Sequence, residues 1–258
     1  MTSESRSIIV GILVLAQQRL ITAQIVRLAA AVGLSANNVK SHLTRMVKEG
    51  ALLRKGARRL ATYDPSAGQE RVIQGIHERL TNRPKAAWDG EWLVLIVRLP
   101  LNRSLRQRWR ALLWFDGFRP IGPGVIIRPA WPLAWAVGQA QFYADEIPGV
   151  CFRGEPINSS LDLAKLYDLD KLDSEAQRLV AWIRNRASHA DSPRAAFVER
   201  MRVGGRIARF IGHDPRLPSK LWGKRRAIFE LVAAFNNFER KVEPRAQAFI
   251  EQTIKRES

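Results

Sequence analysis

Four polar side chains recur at intervals of three or four residues near the N-terminal end of the chain. They are Asn37, Ser41, Thr44 and Lys48, flanked by Lys40 and Arg45. At about 100° of rotation per residue, this spacing places them on one side of a helix. Their amide, hydroxyl and cationic groups are those that hydrogen-bond to base edges and phosphates of a DNA duplex. The chemistry predicted for this face is therefore recognition of a duplex.

The opposite face of the same helix is apolar. Val39, Leu43 and Met46 recur at the helical period, so we expect them to be buried. Ser35 is placed to cap the start of the helix, and Gly50 ends it.

Two further helices are predicted upstream. Apolar residues from Thr22 to Val32 follow the helical period, and Gly33-Leu34 then breaks it. The apolar run from Ile8 to Ala16 predicts a first helix that packs on the other two. Because Arg6 precedes this run, a secretory signal peptide cleaved near Ala16 is the alternative interpretation.

A basic hairpin follows the third helix. Two strand-like runs, 51–54 and 59–63, are joined around Gly56. The connecting segment from Arg54 to Arg59 carries four positive charges and no acid, which is typical of a wing tip against phosphates or in the minor groove. Helix, turn, helix and hairpin in this order predict a winged helix-turn-helix, which places one helix in the major groove.

The predicted partner is a double-stranded DNA operator, contacted by both the third helix and the hairpin. The predicted contacts are Asn37, Asn38, Lys40, Ser41, Thr44, Arg45, Lys48, Arg54, Lys55, Arg58 and Arg59. A net charge of +18, spread along the 258 residues, favours a polyanionic partner. Two alternatives stay open: a solvated polar face on a small helical domain, and a basic scaffold that binds nucleic acid without sequence preference.

The centre of the chain alternates strands and helices. Strands are predicted at 92–97, 125–127 and 149–154, and helices at 104–115 and 131–146. This alternation predicts a small open α/β sandwich such as a ferredoxin-like fold.

The remainder of the chain has the helical period. Helices are predicted at 172–186, 194–211, 222–235 and 245–256. The prolines of Asp214-Pro215-Arg216-Leu217-Pro218 exclude a continuous helix there.

Together these patterns predict a multidomain α+β protein. The predicted parts are an N-terminal winged helix-turn-helix domain over 1–68, a connecting helix and linker over 69–87, a central ferredoxin-like α/β domain over 88–157, and a helical C-terminal domain over 158–258. The chain has one cysteine, so no intrachain disulfide is possible, and it has no apolar run long enough to span a bilayer. A cytoplasmic protein without membrane association is expected.

Several motifs make the chain similar to a known family. Trp88-Asp89-Gly90-Glu91-Trp92 precedes the first central strand, and Arg106 lies on the helix after it. Gly117-Phe118 precedes the second predicted strand, and the segment 123–129 contains it. The segment 214–218 follows in the C-terminal region. In this order they resemble the PaaX-type repressors, the regulators of phenylacetic acid degradation, over nearly the whole chain.

The resemblance implies a dimeric transcriptional repressor of aromatic catabolism that an aryl- or acyl-coenzyme A thioester releases from DNA. It also implies a central domain similar to the small CRISPR-associated ferredoxin-fold nucleases, with a role in dimerisation or effector response. Family members usually follow the 214–218 element with a second Leu-Pro and a Trp-Pro-Gly. The segment 219–224 is shorter here and lacks those prolines, which bears on the identity of the effector.

A candidate effector site is an arginine-rich helix face. Arg202, Arg206 and Arg209 are spaced by four and three residues, and Trp222 is included with them. Arginines in this arrangement can grip the phosphates of a coenzyme A thioester or a DNA backbone. A solvated basic face is the alternative interpretation.

A metal-dependent nuclease built on the central domain is the alternative function. Such a site needs grouped carboxylates, and the candidates are Asp89, Glu91 and Asp116. The strand at 92–97 contains no acid, so these three meet only if the fold brings them together. The four histidines and Cys151 lack metal-ligand spacing. No catalytic residue, metal or cofactor is therefore predicted, and no enzymatic activity.

Overall fold

The chain forms a mixed α+β structure, described from a computed structural model. The described residues are 2–56, 60–81, 87–98, 102–132, 138, 141–143, 146, 148–156 and 161–255. They belong to two compact units. The first unit comprises 1–81, 178–209 and 230–258, and the second comprises 82–177 and 210–229. The α+β class is confirmed, whereas the domain boundaries at 68, 87 and 157 stay a prediction.

The first unit begins with three helices and a hairpin. These elements are α1 (Thr2–Ala16), α2 (Thr22–Ala31), α3 (Ala36–Lys48), β1 (Leu52–Lys55), β2 (Thr62–Pro65) and α4 (Ala67–Thr81). The two strands pair antiparallel, with Leu52 opposite Pro65 and Lys55 opposite Thr62. The element order is the predicted one, but the second strand begins at Thr62 rather than at residue 59.

The three N-terminal helices share one apolar core. Its buried side chains include Ile9, Ile12, Ile25, Leu28, Val39, Leu43 and Met46. Helix α1 contacts both α2 and α3. Full burial of each such side chain contributes about 1.5–3 kcal/mol, so the packing fixes the orientation of α3 about its own axis.

A four-stranded antiparallel sheet forms the centre of the second unit. The strands of the sheet are β3 (Trp92–Val97), β4 (Arg119–Gly122), β5 (Val125–Pro129) and β6 (Gly149–Gly154). Helix α5 (Arg103–Phe115) connects β3 to β4. Neighbouring strands follow the order β4-β5-β3-β6, and every pair is antiparallel. The strands predicted at 92–97 and 149–154 are confirmed, and the one predicted at 125–127 extends to Pro129. Most of the helix predicted over 131–146 lies outside the described residues.

Two buried arginines hold the C-terminal end of α5. Arg119 donates from Nη1 to the carbonyl oxygens of Trp114 (3.0 Å) and Phe118 (2.9 Å), and its guanidinium stacks on the Trp114 ring. Arg128 donates to three carbonyl oxygens, among them that of Asp116. The C-terminal end of a helix carries a partial negative charge, which these cations offset. Burial lowers the pKa of Arg119 to about 10, so the group stays charged at neutral pH.

The turn after α5 contacts the loop at 214–218. Gly117 has φ +83° and closes the helix in the hydrogen-bond pattern of a Schellman motif. A Cβ atom at Gly117 would lie well under 3.0 Å from the carbonyl oxygen of Pro215. Only glycine fits both the conformation and the contact. Two of the motifs that carry the family resemblance therefore touch each other in the second unit.

The C-terminal part of the chain is helical. Its helices are α6 (Leu163–Leu166), α7 (Leu169–Arg184), α8 (Pro193–Ile211) and α9 (Ala227–Lys255), and single 3-10 turns lie at Arg186–His189 and Ser219–Trp222. The division between the two units falls inside α7, α8 and α9. In the described part of the chain, no helix combines the length and apolarity that crossing a membrane requires.

The prediction of separate helices at 222–235 and 245–256 was wrong. A single helix, α9, spans this region with Pro244 inside it. Buried side chains recur every four residues across the proline, at Phe238, Val242, Ala246 and Ile250. Proline removes one backbone N–H and crowds the preceding turn, and the continuous apolar face offsets that cost.

The first unit joins segments that are distant in sequence. Gly11 of α1 lies against α8, where a Cβ would be 3.0 Å from the terminal methyl of Met201. Arg200 of α8 donates to Glu239 and Glu243 of α9, at 2.9 Å each. Burial raises the pKa of Glu239, and the Arg200 cation opposes that shift. The N-terminal helices thus share a unit with most of α8 and α9.

Gly117→Ala should destabilise the second unit by about 3 kcal/mol or more, because a left-handed non-glycine residue and a backbone clash add. Gly33→Ala is the matched control. Gly33 has φ +85° and nothing within 4 Å of an added Cβ, so about 1–2 kcal/mol is expected. Urea unfolding followed by tryptophan fluorescence reports on the second unit, which holds seven of the eight tryptophans. Circular dichroism follows the control, and equal losses would contradict the Pro215 contact.

Candidate nucleic-acid interface

The predicted contact face of α3 is exposed along the helix. The exposed residues are Asn37, Asn38, Lys40, Ser41, Thr44, Arg45 and Lys48. Val39, Leu43 and Met46 are buried on the other side. The structure thus brings seven of the eleven predicted DNA contacts together on one solvent-facing surface.

An open groove of about 740 Å³ follows this face. It is lined by Lys40, Ser41, Thr44, Arg45, Lys48 and Glu49. Three cations and one carboxylate give the lining a positive balance, which attracts phosphate. The hydroxyl groups between the cations supply directional hydrogen bonds, so this surface can both attract a duplex and read it.

Local hydrogen bonds fix two side chains at this face. Ser35 Oγ accepts from the N–H of Asn38 at 3.4 Å, which caps the start of α3 as predicted. Thr44 Oγ1 donates to the carbonyl oxygen of Lys40 at 3.0 Å. Because its proton is used within the helix, Thr44 presents lone pairs outward. In this rotamer it can accept from the amino group of adenine or cytosine but cannot donate to phosphate.

The basic hairpin is held by an acid that sequence reasoning missed. Asp64 Oδ2 on β2 lies 2.8 Å from Lys55 Nζ on β1, and Asp64 Oδ1 lies 3.4 Å from Arg19 Nε. Lys55 is therefore already engaged in an ion pair within the hairpin. The Arg54 side chain, in contrast, is exposed to solvent. Position 64 precedes Pro65 in a run that had no predicted strand character, so its pairing with β1 gave no signal. The predicted contacts Arg58 and Arg59 lie outside the described residues.

A further ion pair lies at the end of α3. Arg6 Nη1 of α1 is 2.7 Å from Glu49 Oε2, and both side chains are substantially exposed. Sequence reasoning treated Arg6 only as the charge ahead of an apolar run. The pairing could not be predicted from spacing, because the two residues are 43 positions apart.

The arginine-rich face predicted as an effector site is exposed on α8. Arg202, Arg206 and Arg209 all point to solvent. The guanidiniums of Arg206 and Arg186 lie 4.4 and 4.6 Å from the Trp182 ring centroid. Guanidiniums stacked on an indole keep their N–H edges available for phosphate.

A buried acid pairs with one arginine of this face, and the fourth predicted residue, Trp222, belongs to the other unit. Glu199 is buried, and its carboxylate accepts hydrogen bonds from Arg202 at 3.1 Å and from Arg186 at 3.4 Å. Trp222 belongs to the second unit, where it is fully buried and packs edge-on against Phe229. The three arginines belong to the first unit, so the four predicted residues do not share one unit.

The carboxylates proposed for a nuclease have structural partners. Arg153 pairs with both Asp89 and Glu91. Asp116 is buried and accepts a hydrogen bond of 2.7 Å from the Tyr143 hydroxyl. Across the described ranges, no three His, Cys, Asp or Glu side chains are grouped so as to hold a metal ion. The structure gives the nuclease alternative no support.

Comparison with known proteins confirms the family resemblance in the C-terminal region. Residues 167–252 match the family described as the PaaX-like protein C-terminal domain. Among solved structures, the chain is similar to the uncharacterized protein Rv0674 from Mycobacterium tuberculosis, with a TM-score of 0.57 and 24% identity. That alignment covers 95% of this chain and 98% of the other, and it concerns the fold alone. No curated protein matches the chain.

The Asp64 carboxyl should titrate below its ordinary value of 3.8. Its hydrogen bond from Lys55 and the charges of Lys55 and Arg19 lower its pKa, and desolvation opposes them only in part. The stabilisation of the hairpin by these pairs is therefore present above about pH 4 and is lost as pH falls through the lowered pKa. Carbon-detected NMR titration of the carboxyl measures this directly. A midpoint at or above 3.8 would show that the pairs do not form in solution.

Proposed function

We propose that this protein is a sequence-specific DNA-binding transcriptional regulator of the PaaX-like type, acting in the cytoplasm as a repressor. The observation that carries the proposal is the exposed α3 face, where polar and cationic side chains line one groove and the apolar residues point inward. The PaaX-like match over 167–252 supports regulation as the class of function. No enzymatic step is part of the proposal.

In the proposed architecture, each region of the chain has its own fold. Residues 1–68 form a winged helix-turn-helix, supported by the order α1-α2-α3-β1-β2. Residues 69–87 connect it to a ferredoxin-like central domain over 88–157, supported by the antiparallel order β4-β5-β3-β6. Residues 158–258 form the helical C-terminal domain.

We further propose that the active form is a homodimer. A dimer presents two copies of α3 to half-sites about one helical turn, or a multiple of it, apart. Ile96, Val150 and Phe152 are exposed apolar side chains on neighbouring strands β3 and β6. Ile96 lies opposite Val150 in the sheet register, and both lie on the face away from the buried Leu95. This strip supports the central domain as the dimer contact.

The proposed effector is an aryl- or acyl-coenzyme A thioester that releases the repressor from DNA. Its phosphates would be bound by Arg202, Arg206 and Arg209 on α8. The stacking of Arg206 on Trp182 supports this assignment, because it holds one guanidinium in place before a ligand arrives. Trp222 was predicted to join them, and its burial gives it a packing role instead.

Selection of bound sequences from a random DNA pool should recover an inverted repeat preferred over random DNA by about 10³-fold or more at physiological salt. Asn37→Ala and Arg45→Ala should change the preferred bases, with about 1–3 kcal/mol lost per base contact. Arg58→Ala should weaken binding to all sequences alike and flatten its salt dependence. Binding without preference would leave a sequence-blind basic scaffold. Recovery of single half-sites would contradict the dimer.

The effector proposal predicts that phenylacetyl-coenzyme A weakens operator binding and that Arg206→Ala requires about tenfold more thioester for the same effect, since one phosphate contact is lost. Operator affinity without effector should stay unchanged. Arg240→Ala is the matched control, an exposed arginine in the same unit whose guanidinium donates to the Asn237 side chain. Fluorescence anisotropy with labelled operator measures both. An equal response in the two variants would contradict the α8 site.

A further inference from the structure

The acid at the end of α3 is the unusual member of the proposed DNA groove. Glu49 is the one carboxylate among the six residues that line it, and it caps the C-terminal end of the helix. That end of a helix already carries a partial negative charge. A duplex that enters the groove would therefore meet a local source of repulsion beside Lys48 and Arg45.

Arg6 stands against this acid. Its Nη1 lies 2.7 Å from Glu49 Oε2, and the two side chains are 41% and 45% exposed. A pair this exposed contributes little to the stability of the fold. Its main effect is on the potential of the groove, because a cation at hydrogen-bond distance cancels most of the field of the carboxylate at longer range.

We infer that Arg6 is a positioning residue for DNA binding, which acts by neutralising Glu49 and holding its carboxylate away from the phosphates. The inference rests on the proposed function of the α3 groove. Arg6 lies on α1, the helix that precedes the α2-turn-α3 pair, and it is not among the predicted contacts. The ligand class is the phosphate backbone of double-stranded DNA, so the effect is independent of base sequence.

The pair offers a charge-balanced double-mutant cycle. In Arg6→Ala the groove gains an unpaired carboxylate, and affinity for the selected operator should fall about threefold to tenfold at 0.1 M salt. Glu49→Gln should bind at least as tightly as the natural chain. The double variant R6A/E49Q restores the natural net charge of the pair, and it should recover affinity to within about twofold. Arg6→Lys keeps the cation and should also bind normally.

Three further measurements separate neutralisation of Glu49 from a general loss of positive charge and from a loss of stability. Arg240→Ala removes one exposed positive charge elsewhere in the same unit and should change affinity by less than twofold. Thermal midpoints of all variants should agree closely, because the pair is exposed. Affinities measured over a salt series should show a shallower slope for Arg6→Ala, restored in R6A/E49Q.

Several outcomes would overturn the inference. If R6A/E49Q binds as weakly as Arg6→Ala, Arg6 contacts phosphate directly and does not act through Glu49. If Arg6→Ala binds like the natural chain, the carboxylate does not repel the duplex. Should Arg6→Ala fail to fold, Glu49→Gln and Arg6→Lys decide, since weaker binding by either contradicts the inference. Absence of specific binding by the natural chain would instead remove the proposed function itself.

Discussion

The burial of Val39, Leu43 and Met46 against α1 and α2 is the constraint on which the proposed site depends. A helix of 13 residues can be rotated only as a whole, so fixing its apolar side fixes every polar side chain as well. The Ser35 cap and the turn at Gly50 then set where the helix starts and stops. The groove is therefore a product of core packing, and the side chains that line it need no support from each other.

Electrostatics adjusts a surface that packing has already formed. Asp64 restrains the hairpin through Lys55, and Glu49 is balanced by Arg6. Both acids lie beside predicted DNA contacts in a chain with a large positive excess. Because each acid is paired with a cation, neither adds an unpaired negative charge beside those contacts. The placement of these two carboxylates beside their cations is therefore a feature of the proposed site in addition to the total charge.

Local patterns predicted much of the fold, and long-range contacts account for what was missed. The apolar period identified α3 and its exposed face, and the run 92–97 identified β3, because each signal lies within one element. The Arg6–Glu49 and Arg19–Asp64 ion pairs join segments far apart in sequence, so no spacing rule could find them. The Lys55–Asp64 pair depends on the hairpin register, and the second strand was predicted to end at Tyr63. The prediction of two helices at 222–235 and 245–256 was wrong because the buried face of α9 continues through Pro244, although proline opposes helix locally. Trp222 was placed by residue type, and tertiary packing decided its burial.

The motif Trp88 to Trp92 has a consequence for how such chains are grouped. The Trp88 indole N–H donates to the carbonyl oxygen of Glu91 at 2.8 Å, and the ring packs edge-on against Trp92. The carboxylates of Asp89 and Glu91 pair with Arg153 on β6. These contacts hold the start of β3 in place and connect it to the neighbouring edge strand, β6. Likeness in this motif therefore reports how the sheet is built and carries no information about a ligand.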